Sequence, residues 1–212
     1  MADLETPRLV DGPDTAPATV LLAHGAGAPM DSSFMAAMAS GLAAHGLRVV
    51  RFEFAYMARQ RLSGRKAAPD RLPKLQEVFR QQVALEAALG PVVIGGKSMG
   101  GRVASLLLDE LQVLGGICLG YPFHPLGKPE QQRTEHLRKL KTPTLILQGE
   151  RDGFGRRGEV ESYELSPSIS LQWLPDGDHS FKPRKSSGMN EAQNWQQAVE
   201  AAGCFCRGLL SL

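Results

Sequence analysis

Cysteine is scarce in this chain: 212 residues carry three, Cys118, Cys204 and Cys206. An odd, sparse set provides no disulfide framework. Cys118 sits in the apolar run Ile117-Cys118-Leu119 and reads as a small packed hydrophobe. Cys204-x-Cys206 has no second Cys/His pair nearby at ligand spacing, so no metal site is expected. An excess of charge is also missing. Lys and Arg number 24 against 22 Asp and Glu, a formal +2, which argues against a nucleic-acid binder. No apolar run approaches the length of a membrane span, so no membrane association is expected. Met1-Ala-Asp-Leu-Glu5 is acidic and lacks the basic start and apolar stretch of a secretory signal. Unpaired thiols and no visible leader together predict a cytoplasmic location.

A chain of this length can bury a sizeable core without disulfides or metals. No repeat or low-complexity tract divides it, and a single domain over residues 1–212 is expected. Short apolar runs recur, each followed by a turn and a helix-like stretch. Ala18–Ala23, Leu47–Phe52, Val92–Ile94, Gly116–Leu119, Thr144–Gln148 and Ser170–Leu174 read as strands. Phe34, Met35, Met38 and Leu42 share one helical face, with Asp31 or Ser32 as N-cap and Gly46 as terminator. Helices are also expected over Leu75–Leu85, around Val103–Leu107, over Glu135–Leu140, and from Asn190 to about Leu209. Residues 56–73 are basic, contain Pro69 and Pro73, and read as a loop or irregular helix. The alternation implies an α/β fold, a mostly parallel sheet covered by helices on both faces.

Gly96-x-Ser98-x-Gly100 carries the sharpest chemistry. A serine exposed on a strained strand-to-helix turn needs small residues two before and two after, so that strand and helix can approach. Val92-Val-Ile94 before it and Val103, Leu106 and Leu107 after it supply that setting. Two rival motifs fail. A phosphate loop ending in Gly96-Lys97-Ser98 would need glycine where Pro91 stands, and a dinucleotide loop from Gly25-Ala-Gly27 would need glycine at Met30.

A serine hydrolase of this kind needs an acid and then a histidine further along the chain. Gly149-Glu-Arg-Asp152-Gly153 follows one strand, and Asp152 is the candidate acid, with Glu150 second. Pro175-Asp-Gly-Asp178-His179 follows the next, and His179 is the candidate base. Two backbone N–H groups should face the substrate oxygen. Met99 supplies one. Ala26, with Gly25 and Gly27 as near alternatives, supplies the other from the His24–Pro29 loop. His24 itself is expected to hydrogen-bond within that loop.

With these residues the chain resembles an α/β-hydrolase from about Thr19 to Leu210. The likeness is to small bacterial proteins of the dienelactone-hydrolase-like group, akin to testis-expressed and NSL-complex hydrolase-like proteins of animals. It rests on Leu22-Ala-His-Gly-Ala-Gly-Ala-Pro-Met-Asp31, Gly95-Gly-Lys-Ser-Met-Gly-Gly-Arg-Val103, Gly120-Tyr-Pro-Phe-His-Pro125, Gln148-Gly-Glu-Arg-Asp152 and Gly177-Asp-His-Ser-Phe181. The resemblance implies a Ser98–His179–Asp152 triad. Dienelactone hydrolases proper use a cysteine nucleophile; Ser98 departs from them, which counts against dienelactone itself.

The expected reaction is cleavage of a small-molecule ester or thioester through an acyl-enzyme, with no cofactor. A non-catalytic scaffold that keeps the fold is the alternative. Phe54, Tyr56, Tyr121, Phe123 and His124 follow strand ends and are expected to line the substrate pocket. The basic stretches at 59–74 and at Lys182, Arg184 and Lys185 read mainly as solvated faces. Residues 120–143 leave no room for a separate lid domain, so a shallow, open site walled by 53–73 and 120–135 is expected.

Overall fold

Seven strands form one sheet in this computed structural model, which describes residues 6–211. The acidic start Met1–Glu5 lies outside the described residues. In chain order the elements are β1 (Arg8–Asp11), β2 (Thr19–Ala23), α1 (Ser33–Ala44), β3 (Arg48–Phe52), α2 (Ala55–Ser63) and α3 (Leu72–Ala87). Then come β4 (Val92–Lys97), α4 (Met99–Ser105), β5 (Gly115–Leu119), β6 (Thr144–Gly149), the one-turn α5 (Arg157–Val160), β7 (Ile169–Leu174) and α6 (Glu191–Leu210). The sheet order is β1-β3-β2-β4-β5-β6-β7. Every pair is parallel except β1 with β3.

Strands β2 to β6 are almost wholly buried because helices cover both faces. Side-chain alternation divides their apolar residues between two cores. Val20, Leu22, Val49, Val93, Ile117 and Leu147 pack under α1 and α6. Leu21, Ala23, Val50, Phe52, Ile94, Cys118 and Ile146 pack against α3, α4 and the chain after β3 and β5. The Cys118 thiol is pushed up to about 12 by burial, which keeps it an inert packing group. Among the described residues no helix is long and apolar enough to cross a membrane, and no cluster of three or more His, Cys, Asp or Glu could hold a metal ion.

The expected strands are all present. Ser32, not Asp31, caps α1: its Oγ accepts from the Met35 N–H at 3.5 Å, while Asp31 pairs with Arg61. Four elements differ from expectation. β1 was not foreseen. Residues 55–63 are a regular helix, and Pro73 occupies the first turn of α3, where its missing N–H costs nothing. The stretch Glu135–Leu140 holds only a 3₁₀ turn, His136–Arg138. α4 ends at Ser105, so Leu106 and Leu107 lie in the turns beyond it.

Candidate functional site

The chain runs from β2 outward to β3, then crosses back to β4 on the other side of β2. The crevice at such a topological switch, beyond the carboxyl ends of the strands, is where open α/β sheets bind ligands. The loop after β2 and the turn after β4 therefore meet there, and they carry Gly25–Gly27 and Ser98.

Ser98 has φ 51° and ψ −113°, a conformation that costs a non-glycine residue energy. Its neighbours show what holds it there. A Cβ on Gly96 would stand 2.2 Å from the Ala23 carbonyl oxygen, and one on Gly100 would stand 2.4 Å from the same atom. Both glycines thus let the elbow press against the backbone of β2. The Ser98 N–H is tied to the Leu119 carbonyl at 3.0 Å, and its own carbonyl receives the Arg102 N–H at 3.0 Å.

Three side chains from three strand ends form a relay. His179 Nε2 lies 2.9 Å from Ser98 Oγ. His179 Nδ1 lies 2.7 Å from Asp152 Oδ2. An ionised carboxylate only accepts, so Nδ1 carries the proton and Nε2 is free to take the serine hydrogen. Asp152 is fully buried but amply hydrogen-bonded: Gln148 Nε2 donates to Oδ2 at 2.9 Å, and the Phe154 N–H donates to Oδ1 at 2.9 Å. Gln148 also donates to the Tyr121 and Gly155 carbonyls and accepts the Tyr121 N–H at 2.7 Å. One buried amide thereby ties the β5 and β6 loops to the acid. The Phe154 ring lies 4.5 Å from the imidazole, centroid to centroid.

The histidine loop is anchored from below. Trp195 Nε1 donates to the Ser180 carbonyl at 2.9 Å, and Asn194 Nδ2 donates to the carbonyls of Pro175 and Phe181. Lys97 Nζ donates to the His179 carbonyl at 2.7 Å. Glu150, the second candidate acid, is engaged elsewhere, accepting from the Asp176 N–H and pairing with Arg157.

The loop after β2 is set by His24 and Tyr56. The Phe54 N–H donates to His24 Nε2 at 3.1 Å, so His24 Nδ1 bears the hydrogen and donates to the Gly25 carbonyl at 2.7 Å. Burial lowers the His24 pKa and favours this neutral form. Tyr56 Oη reaches the Gly25 and Ala26 carbonyls at 3.2 and 3.1 Å. In a trans peptide the N–H points opposite to the carbonyl. With the Gly25 carbonyl drawn inward, the Ala26 N–H faces away from the core; Gly27 follows in the same sense. Neither Ala26 nor Met99 donates its N–H to a backbone acceptor among the described residues.

A cleft of about 250 Å³ adjoins the serine through Gly25 and Lys97. Ala28, Phe34, Met35 and Trp195 line it, with Ser32, Ser33, Ser180 and Glu191. These walls differ from those expected. Phe54, Tyr56, Tyr121 and Phe123 are fully buried and His124 nearly so. Phe54 packs edge-on against His24 and Phe52, and Tyr121 against Phe123, beneath the loops. His124 is held by the Pro125 carbonyl and Glu159. These five residues support the site's loops from within the core. The basic stretches are ion-paired in part, Arg59 and Lys74 with Asp70, Arg61 with Asp31 and Glu53, and Arg184 with Asp176.

A family model described as an alpha/beta hydrolase domain matches residues 16–207. Carboxymethylenebutenolidase from Pseudomonas sp. strain P51 is 31% identical over 96 residues, a match spanning 43% of this chain and 37% of that protein. Solved structures share the fold at low identity. An alpha-beta serine hydrolase homologue from Coxiella burnetii superposes with a TM-score of 0.69 at 18% identity, covering 92% of this chain and 90% of that one. A serine hydrolase from Xanthomonas campestris, described as lacking a lid, gives 0.66 at 20% identity over 92% and 88%. Est1E from Butyrivibrio proteoclasticus, with ferulic acid bound, gives 0.70 at 16% identity over 98% and 96%.

Proposed function

The chain belongs to the alpha/beta-hydrolase family, and from that premise we propose that it cleaves carboxylic esters or thioesters of small molecules, with Ser98 as nucleophile. The observation that carries this reading is the continuous hydrogen-bonded path from Ser98 Oγ through the His179 ring to Asp152.

Ser98 Oγ attacks the substrate carbonyl carbon while His179 Nε2 takes its proton. The carbonyl oxygen becomes an oxyanion that the N–H groups of Met99 and Ala26 receive, a role supported by their lack of a backbone acceptor among the described residues. Collapse expels the alcohol or thiol, which receives the proton from Nε2. Water then attacks the acyl-serine as Nε2 takes its proton, and collapse returns that proton to Ser98 Oγ and releases the acid. Asp152 holds the ring in one tautomer throughout and stabilises the imidazolium. The serine-hydrolase neighbour of the same fold supports hydrolysis as the reaction class.

Hydrolysis of p-nitrophenyl acetate and labelling by a fluorophosphonate probe test the reading. Wild type should do both, and Ser98→Ala should lose labelling and at least ~10³-fold in kcat. Equal behaviour of the two proteins in both assays would refute it.

A further inference from the structure

A second cavity, about 450 Å³, lies between α4 and the segment after β5. Arg102, Arg133, His136 and Lys139 line it, and Glu135 is the one carboxylate among the lining residues. Most arginines of this protein reach a carboxylate, among them Arg48, Arg51, Arg61, Arg80, Arg157 and Arg184. Arg102 and Arg133 do not: among the described residues neither guanidinium forms an ion pair or a side-chain hydrogen bond. Arg102 Nε is buried without any partner.

The cations also act on one another. Burial and the Arg102 charge lower the Arg133 pKa, and the same two causes bring His136 down to about 4. Folding has gathered Arg102, Arg133 and Lys139 around a single carboxylate, and a bound anion would relieve the excess.

The cluster is held in place by its backbone. Ser105 Oγ donates to the Arg102 carbonyl at 2.9 Å and must therefore accept from His136 Nε2, also at 2.9 Å. The Arg133 N–H donates to the Phe123 carbonyl at 2.7 Å, and Tyr121 Oη donates to the Arg133 carbonyl at 2.9 Å. Both arginines are half-buried, so less side-chain freedom remains to be lost on binding.

Arg102 links the cluster to the elbow, its N–H donating to the Ser98 carbonyl at 3.0 Å. Arg102 is one helical turn from Ser98 on α4, a rise of about 6 Å. We propose that Arg102 and Arg133 bind an oxyanion, a carboxylate or phosphate carried by the substrate. Paired guanidinium N–H groups suit either group. This subsite rests on the reading of Ser98 as nucleophile, but it can be measured without turnover.

Inorganic phosphate and succinate are titrated separately into Ser98→Ala at constant ionic strength. One of them should bind, and adding Arg133→Gln should weaken that binding roughly 10- to 100-fold. Tighter binding of succinate would identify a carboxylate, and tighter binding of phosphate a phosphate. Binding should also raise the His136 pKa, followed by NMR, which a merely structural arginine would not do. In turnover, wild type should favour mono-p-nitrophenyl succinate over p-nitrophenyl acetate, and Arg133→Gln should reduce that ratio by the same factor. Arg133→Lys, which keeps the charge and is the milder change, should retain part of the preference. Failure of both anions to bind Ser98→Ala, or equal binding with and without Arg133→Gln, overturns the subsite and leaves the esterase reading standing. Esterase activity indifferent to Ser98 overturns the nucleophile and leaves anion binding to stand alone.

Discussion

Lys97 carries a charge where water hardly reaches it. The residue is 8% exposed, donates to the His179 carbonyl, and lies 5.5 Å from the Phe34 ring centroid. Burial lowers its pKa to about 8, against the pull of Asp152 and Asp178. Between about pH 8 and its ordinary value near 10.5, the unfolded chain holds a proton that the folded chain has released. Stability contributed by this group therefore rises with pH across that window, by at most about 1.4 kcal/mol per pH unit, and is flat below it. Urea unfolding of Lys97→Met should lack that rise, and an unchanged pH dependence would contradict the assignment. The residues of the relay were readable in the sequence because each sits in a short local motif after an apolar strand. Lys97, Gln148 and Phe154 were not, because their partners come from other loops and no spacing announces them.

At the level of elements, the elbow depends on how tightly β2, β4 and α4 converge. A methyl group on Gly100 would meet the Ala23 carbonyl oxygen at 2.4 Å and its carbon at 2.7 Å, all backbone that cannot swing aside. Overpacking of this kind costs about 1–3 kcal/mol. Alanine's better helix propensity offsets up to about 1 kcal/mol of that. Gly100→Ala should thus unfold at lower denaturant, by about 1–2 kcal/mol, and lose fluorophosphonate labelling because Ser98 is displaced. Retained labelling at wild-type stability would show the contact to be softer than drawn. The buried parallel strands were legible from their apolar runs. β1 was not, because Leu9 and Val10 are exposed on an edge strand and leave no apolar run. α2 was hidden for another reason: its buried residues Tyr56, Met57 and Ala58 are consecutive, so its sequence shows no helical period.

Across the whole molecule, the connection between β5 and β6 is confined to residues 120–143, and it contains only a 3₁₀ turn. The crevice is therefore bordered by loops of the core sheet. Among esters of uncharged straight-chain acids, acetate to butyrate should give the highest kcat/KM, decanoate and longer much lower values. Rates should not jump when the substrate exceeds its solubility. A preference for palmitate would contradict this geometry. The open architecture could be anticipated from chain length, but the cleft walls could not. They are drawn from residues 25–35, Lys97 and 180–195, segments far apart in sequence that meet only after folding.

The anchoring of the His179 loop by Asn194 and Trp195 has a temporal side. A ribosome delivers Ser98 early and the loop much later, and α6 only after both. Until α6 docks, the carbonyls of Ser180 and Phe181 lack their donors and the imidazole has no fixed heading. A nascent chain would thus present its serine unarmed, and competence to cut would appear only once α6 has emerged and docked.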